Sequence, residues 1–190
     1  ALIDPAGFDT PPPDGSAAWQ VPTIFKDLSP AEKRGIAAAY YTSVRFLDRN
    51  IGRVLARLKQ LDLDRDTLVV YTADHGYMLG QHGRFEKHCG YDPALRVPLI
   101  LYSPRLFAPV SVGGRVRHID MLPTLLAAAG VPDVKEQLLK GMKVGDKTFK
   151  VHLDGYNVLD TFAGKAPDPR QEFFYFSDDG SIVGLRFNQW

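Results

Sequence analysis

Apolar side chains at Ile36, Tyr40, Val44, Leu47, Ile51, Leu55 and Leu58 recur every three or four residues, the period of one face of an α-helix. Ser29, Pro30 and Glu32 supply a start: a hydroxyl N-cap, proline at the first helical position and a carboxylate in the capping-box position. The pattern predicts a helix running to about Gln60, on the order of 45 Å long. Asp48 falls on or beside the apolar stripe, where a buried carboxylate needs a donor. Gly52 within the helix reads as a site of close packing on a sheet. Downstream the period changes. Leu68 to Thr72 and Val97 to Tyr102 are apolar, β-favouring runs without alternation, as expected of strands covered on both faces. Val116 to Ile119 is a shorter strand candidate, after which Asp120 can cap a helix over Met121 to Ala129, closed by Gly130. Strand and helix alternate, so the expected class is α/β, a mostly parallel sheet flanked by helices.

From about Gly141 the texture shifts. KVGDKTFKVHL and FFYFSDDGSIVGLRF place aromatic and β-branched residues around GD and DDG turn signals, and both predict antiparallel hairpins. A short helix is expected within Gly155 to Phe162. The predicted division is therefore residues 1–140 as an α/β portion and 141–190 as a small antiparallel subdomain. Residues 1–28, dense in Pro, Gly and Asp, read as loop. Trp19 within them lies where a substrate could be touched.

Composition changes this picture little. At 190 residues with 45% hydrophobic content, the chain can bury a sizeable core. Its 23 basic and 22 acidic residues, formal charge +1, are interleaved along the sequence without a basic block or stripe. That predicts no nucleic-acid or membrane-surface partner. No apolar run approaches the roughly 20 residues of a membrane span. Cys89 alone excludes an internal disulfide. The start, without Met and in a proline-rich stretch, and the end, just after a strand-like run, lead us to expect a fragment of a longer protein. Compartment stays open, with a periplasmic or secreted location favoured over a cytoplasmic one.

The candidate chemistry is concentrated in TADHGYMLGQHGRFEK, residues 72–87. The run LVVYT delivers Asp74 and His75 to a strand's carboxyl end, where open α/β sheets place their ligands. Asp74 and a neutral His75 can hold a divalent cation, and Lys87 can hold an anionic oxygen. His82 and His88 are candidates for lining a substrate pocket, with a loop role as the alternative for each. Asp92 and Arg96, four apart, read as a structural ion pair, and His118 and His152 as structural. No residue of the stretch is an obvious nucleophile.

TADHGYMLGQHG, Lys87, YDPALRVPLILYSP and HIDMLPTLLAAAGVP, together with YYTSVRFLDRNIGRVLARL and the closing EFFYFSDDG, resemble the C-terminal half of a sulfatase, arylsulfatase-like, of the alkaline phosphatase superfamily. The resemblance covers most of residues 29–190. It implies that Asp74 and His75 bind the active-site metal, Ca²⁺ in most sulfatases with Mg²⁺ or Mn²⁺ as alternatives. It implies that Lys87 contacts the sulfate and the bridging ester oxygen, with His75 also able to orient the nucleophile. Two further Asp ligands and a formylglycine nucleophile, made from Cys or Ser in CxPxR or SxPxR, would come from an N-terminal half. Neither Cys89, with Pro93 four positions on, nor Ser103, followed directly by Pro104, fits that motif. The expected function is a metal-dependent sulfuric ester hydrolase acting on a sulfate ester, inactive as these residues alone. The alternatives are a phosphodiesterase or phosphonate monoester hydrolase of the same superfamily, or a non-catalytic anion-binding or assembly module.

Overall fold

A computed structural model describes residues 28–177 and 179–188; the expected loop over residues 1–27, Trp19 included, lies outside them. The chain forms two compact units, Ala1–Tyr102 and Ser103–Trp190.

The first unit begins with the capping box read from the sequence. The Glu32 backbone N–H donates to Ser29 Oγ at 3.3 Å, and the Ser29 backbone N–H returns a bond to Glu32 Oε2 at 2.8 Å. Helix α1 then runs from Pro30 to Gln60, as its apolar period predicts. Its apolar stripe is largely uncovered: Tyr40, Val44, Leu47 and Leu55 are exposed, and only Ala37 is buried. Asp48, expected against that stripe, is exposed too.

Strands β1 (Val69–Thr72) and β4 (Leu99–Tyr102) form where the two apolar runs predicted them. They pair with each other, antiparallel, Val69 opposite Tyr102 and Thr72 opposite Leu99. The expectation of a mostly parallel sheet is not met by the described residues, whose paired strands form four two-stranded antiparallel sheets. Nor is β4 covered on both faces, since Ile100 and Tyr102 are exposed. Between them lie a small hairpin, β2 (Met78–Leu79) with β3 (Phe85–Glu86), and the single-turn helix α2 (Asp92–Leu95). Met78, Leu79 and Phe85 are buried, so this hairpin is the best-packed part of the unit among the described residues.

In the second unit helix α3 (Met121–Ala128) is where it was predicted, with Gly130 beyond its end, and α4 (Val134–Lys140) follows, unpredicted. The hairpins β5 (Met142–Val144) with β6 (Lys147–Phe149) and β7 (Glu172–Phe176) with β8 (Ile182–Phe187) are antiparallel, as the turn signals indicated. Helix α5 (Leu159–Phe162) falls within the expected stretch. Val116 to Ile119 is not a strand: His118 to Asp120 form a 3₁₀ turn. The reason is Asp120. Its carboxylate does not cap α3. Instead, completely buried, it accepts the Arg117 and Tyr156 backbone N–H groups at 2.7 and 2.8 Å and both prongs of the buried Arg170 guanidinium at 2.5 and 3.3 Å. Arg170 also stacks over the Tyr156 ring, 4.7 Å from its centroid. Val134, Val158 and Thr124 complete the core around this clamp, with Thr124 Oγ1 accepting the Val158 N–H at 3.0 Å.

Candidate active site

β1 ends at Thr72, and the chain leaves it as a loop that carries Asp74 and His75. Gly76 fixes that loop. Its N–H donates to the Ala94 carbonyl at 2.8 Å, and a Cβ here would lie 2.0 Å from the Pro93 carbonyl oxygen. Only glycine lets the loop approach α2 so closely. Tyr77 then stacks on Tyr40 of α1, ring centroids 5.2 Å apart.

The buried hairpin turns the chain back. Gly80, at φ 107°, opens its turn, and the Leu79 N–H donates to Gln81 Oε1 at 2.6 Å. Two non-glycine residues, His82 (φ 55°) and Glu86 (φ 70°), hold left-handed backbone, the second immediately before Lys87. As a result Lys87 Nζ comes to 2.5 Å from His75 Nε2, across a separation of 12 residues. Asp74 Oδ2 lies 3.3 Å from the same nitrogen.

The hydrogen bonds fix the imidazole's orientation. His75 Nδ1 is 2.7 Å from the Gly76 carbonyl, which can only accept, so Nδ1 carries the proton. Nε2 therefore presents its lone pair to the Lys87 ammonium, which can only donate. The Asp74 side chain is 84% exposed and its carboxyl is held below the ordinary value of 3.8. Partial desolvation opposes that shift; the backbone N–H bonds and the nearby cationic charge outweigh it.

Asp74, His75 and Lys87 are thus brought together, and the other two candidate histidines, His82 and His88, are not part of that cluster. His82 stacks on Tyr91, centroids 4.4 Å apart and planes within 20°. His88 is exposed, and its backbone carbonyl accepts from the Arg84 guanidinium at 3.1 Å. Cys89 is a half-buried free thiol whose N–H donates to the Lys87 carbonyl at 2.7 Å. Gln81, Tyr91 and Gly76 shape the loop without having stood out in the sequence. The GQHG turn signal is the one hint that the segment doubles back. Among the described residues no group of three or more His, Cys, Asp or Glu side chains is placed to hold a metal ion. The pair beside Lys87 is half a coordination sphere at most.

A family model described as Sulfatase matches residues 9–131. The chain belongs to the sulfatase family. Human arylsulfatase K is 32% identical over 162 residues, covering 84% of this chain and 29% of that protein. Mouse iduronate 2-sulfatase is 34% identical over 125 residues, 53% of this chain and 23% of that one. Among solved structures, the phosphonate monoester hydrolase from Silicibacter pomeroyi superposes with a TM-score of 0.62 at 29% identity, over 84% of this chain and 30% of its own. This sulfatase-family chain thus spans less than a third of the length of these relatives. The likeness gives it a sulfatase-like fold.

Proposed function

We propose that the chain forms one wall of the active site of a sulfuric ester hydrolase, with Asp74 and His75 as metal ligands and Lys87 as the contact to the ester. The observation that carries this reading is the convergence of an exposed carboxylate oxygen, an imidazole lone pair and an ammonium at the end of β1. The donors fit a divalent cation in chemistry: a hard carboxylate oxygen and a neutral imidazole nitrogen. Nε2 has a single lone pair, so it would ligate the ion once Lys87 turns from it toward the ester. Asp74 Oδ2 and His75 Nε2 would hold the ion, Ca²⁺ on the sulfatase reading with Mg²⁺ or Mn²⁺ as alternatives. When bound it would supply Lewis-acid polarisation of an ester oxygen. The Nδ1–H bond to the Gly76 carbonyl keeps His75 in the tautomer that a ligand or an acceptor toward the nucleophile requires. Lys87, on a flexible stem, can follow the leaving oxygen as its charge builds, which stabilises the transition state more than the ground state. The remaining ligands and the nucleophile, a formylglycine on this reading, are assigned to a portion of the enzyme outside these residues, so the 190 residues are inactive alone.

The decisive experiment compares aryl sulfate and phosphonate monoester turnover by the complete enzyme, with and without Asp74→Ala. Metal-dependent sulfate ester hydrolysis lost in the variant is expected. A near-native rate in Asp74→Ala refutes the ligand assignment. Turnover confined to the phosphonate ester moves the protein to the second reading, which the phosphonate monoester hydrolase likeness supports. No turnover of either leaves a non-catalytic anion-binding module.

A further inference from the structure

The basic residues that the sequence interleaves with acidic ones are brought into line by α1. Arg45, Arg49, Arg53 and Arg57 follow one another at every fourth position and all are exposed. At 1.5 Å per residue the ridge is about 18 Å long, with guanidinium stems about 6 Å apart. At 100° per residue it lies roughly 180° from the centre of the Tyr40, Val44, Leu47, Ile51, Leu55 stripe. Among the described residues the arginines are exposed on the side away from the apolar stripe.

Among the described residues no carboxylate pairs with the ridge. The only acidic residue between Tyr41 and Gln60 is Asp48, and among the described residues none of the four arginines is ion-paired. Arg53 reaches Asn50 Oδ1 and Arg57 reaches Gln60 Oε1, each at 3.4 Å, neutral acceptors that leave the charge intact. Phe46, three residues before Arg49 and seven before Arg53, projects beside those two and is 70% exposed, the most exposed large hydrophobic residue of the helix. A row of guanidinium forks punctuated by a bare aromatic ring has a specific chemistry. The forks take planar oxyanions through paired N–H donors, and the ring takes an apolar face.

We propose that this face of α1 is a binding ridge for a linear sulfated polysaccharide, the four arginines taking sulfate groups and Phe46 the face of a sugar ring. The choice of sulfate among polyanions rests on the sulfuric ester hydrolase reading; the ridge would keep a polymeric substrate on the enzyme between cleavage events. The geometry itself requires only a polyanion with an apolar repeat, so the ligand class is what the test must separate.

The test is titration of the complete enzyme into a short, end-labelled heparin oligosaccharide, followed by fluorescence anisotropy at rising salt. Binding that weakens with salt is expected. It should fall at least tenfold in R45Q/R49Q/R53Q/R57Q and several-fold in Phe46→Ala. Lys33→Gln, off the ridge, should bind as the parent does. Helix content of each variant is read by circular dichroism, and the outermost pair, R45Q/R57Q, serves if the quadruple variant loses it. Undiminished heparin binding in that pair and in Phe46→Ala overturns the ridge. Equal affinity for desulfated heparin, or tighter binding of single-stranded DNA or phosphatidylserine vesicles, overturns the ligand class. Arginine-dependent, sulfate-selective binding supports the ridge even if the complete enzyme turns over no sulfate ester, so this proposal and the catalytic reading fail separately.

Discussion

Replacing Arg170 by Ala removes the partner of a completely buried carboxylate, and the geometry allows the cost to be worked out. Asp120 accepts four hydrogen bonds, two from backbone N–H groups and two from the Arg170 guanidinium. The variant keeps the backbone pair and loses both charge-assisted bonds, at roughly 1.5–3 kcal/mol each. It also strands a charge where burial of an unpaired ion costs about 3–5 kcal/mol in all. These are two views of one loss, so the expected destabilisation is about 3–5 kcal/mol, not their sum. Urea unfolding followed by Tyr156 and Phe173 environments would show it as a lower midpoint with an unchanged slope. A buried pair is weakly screened, so the loss should persist in high salt. By contrast Arg96→Ala, which breaks an exposed pair at 3.8 Å, should cost under about 0.5 kcal/mol. If Arg170→Ala costs no more than Arg96→Ala, the clamp does not organise the second unit.

Three other outcomes are expected. In the complete enzyme Lys87→Ala should lower kcat by on the order of 10²–10³-fold with KM changed little; a raised KM at constant kcat would make Lys87 a simple substrate contact. Glu32 is held below its ordinary value of 4.5 by the Ser29 hydroxyl and then the Ser29 backbone N–H. Its capping contribution is therefore present above the unfolded value and lost as pH falls through the folded one, so acid should fray the first turn of α1. In Ser29→Ala the Glu32 carboxyl should titrate closer to 4.5 by ¹³C NMR, and no change would discount the box. Gly76→Ala, whose Cβ meets the Pro93 carbonyl, should destabilise by about 1–3 kcal/mol, whereas Gly113→Ala, facing open space, should be near neutral; equal effects would contradict the close approach.

What was legible in the sequence was local. The cap, the period and the length of α1 are properties of contiguous residues, and so are the GD and DDG turns, so they could be read directly. The partners of strands are not local. A run without alternation, such as Leu99 to Tyr102, reads as covered on both faces, but among the described residues it pairs with β1 alone, and Ile100 and Tyr102 remain exposed. Val116 to Ile119 has strand-like composition. Its conformation is decided by Asp120 and by an arginine 50 residues away, which no window on the sequence contains. The candidate site was legible as a set of residue types, Asp74, His75 and Lys87. That His82 turns to Tyr91, and that Gly76 and Gln81 hold the loop, depends on the hairpin's closure. The arginine ridge was hidden for the opposite reason, since interleaved charges look neutral until a helical period sorts them onto faces.

That closure explains why so short a hairpin is so well buried. Non-glycine residues in left-handed backbone are uncommon and cost of order 1–3 kcal/mol each when held there, and this segment contains two, His82 and Glu86. Nothing in a hairpin running from Met78 to Glu86 requires them; a simple two-residue turn would join β2 to β3. Met78 and Phe85, fully buried or nearly so, and the His82–Tyr91 stack oppose the strain. A full burial of two such side chains contributes about 3–6 kcal/mol, enough to hold both residues. The effect of the strained backbone at Glu86 falls on the next residue: it turns the chain out of the β2–β3 ladder at the point where Lys87 reaches His75. The local conflict between propensity and conformation thus sits at the candidate site and is offset by packing immediately beneath it, the distribution expected where the placement of one side chain matters more than the ease of the fold.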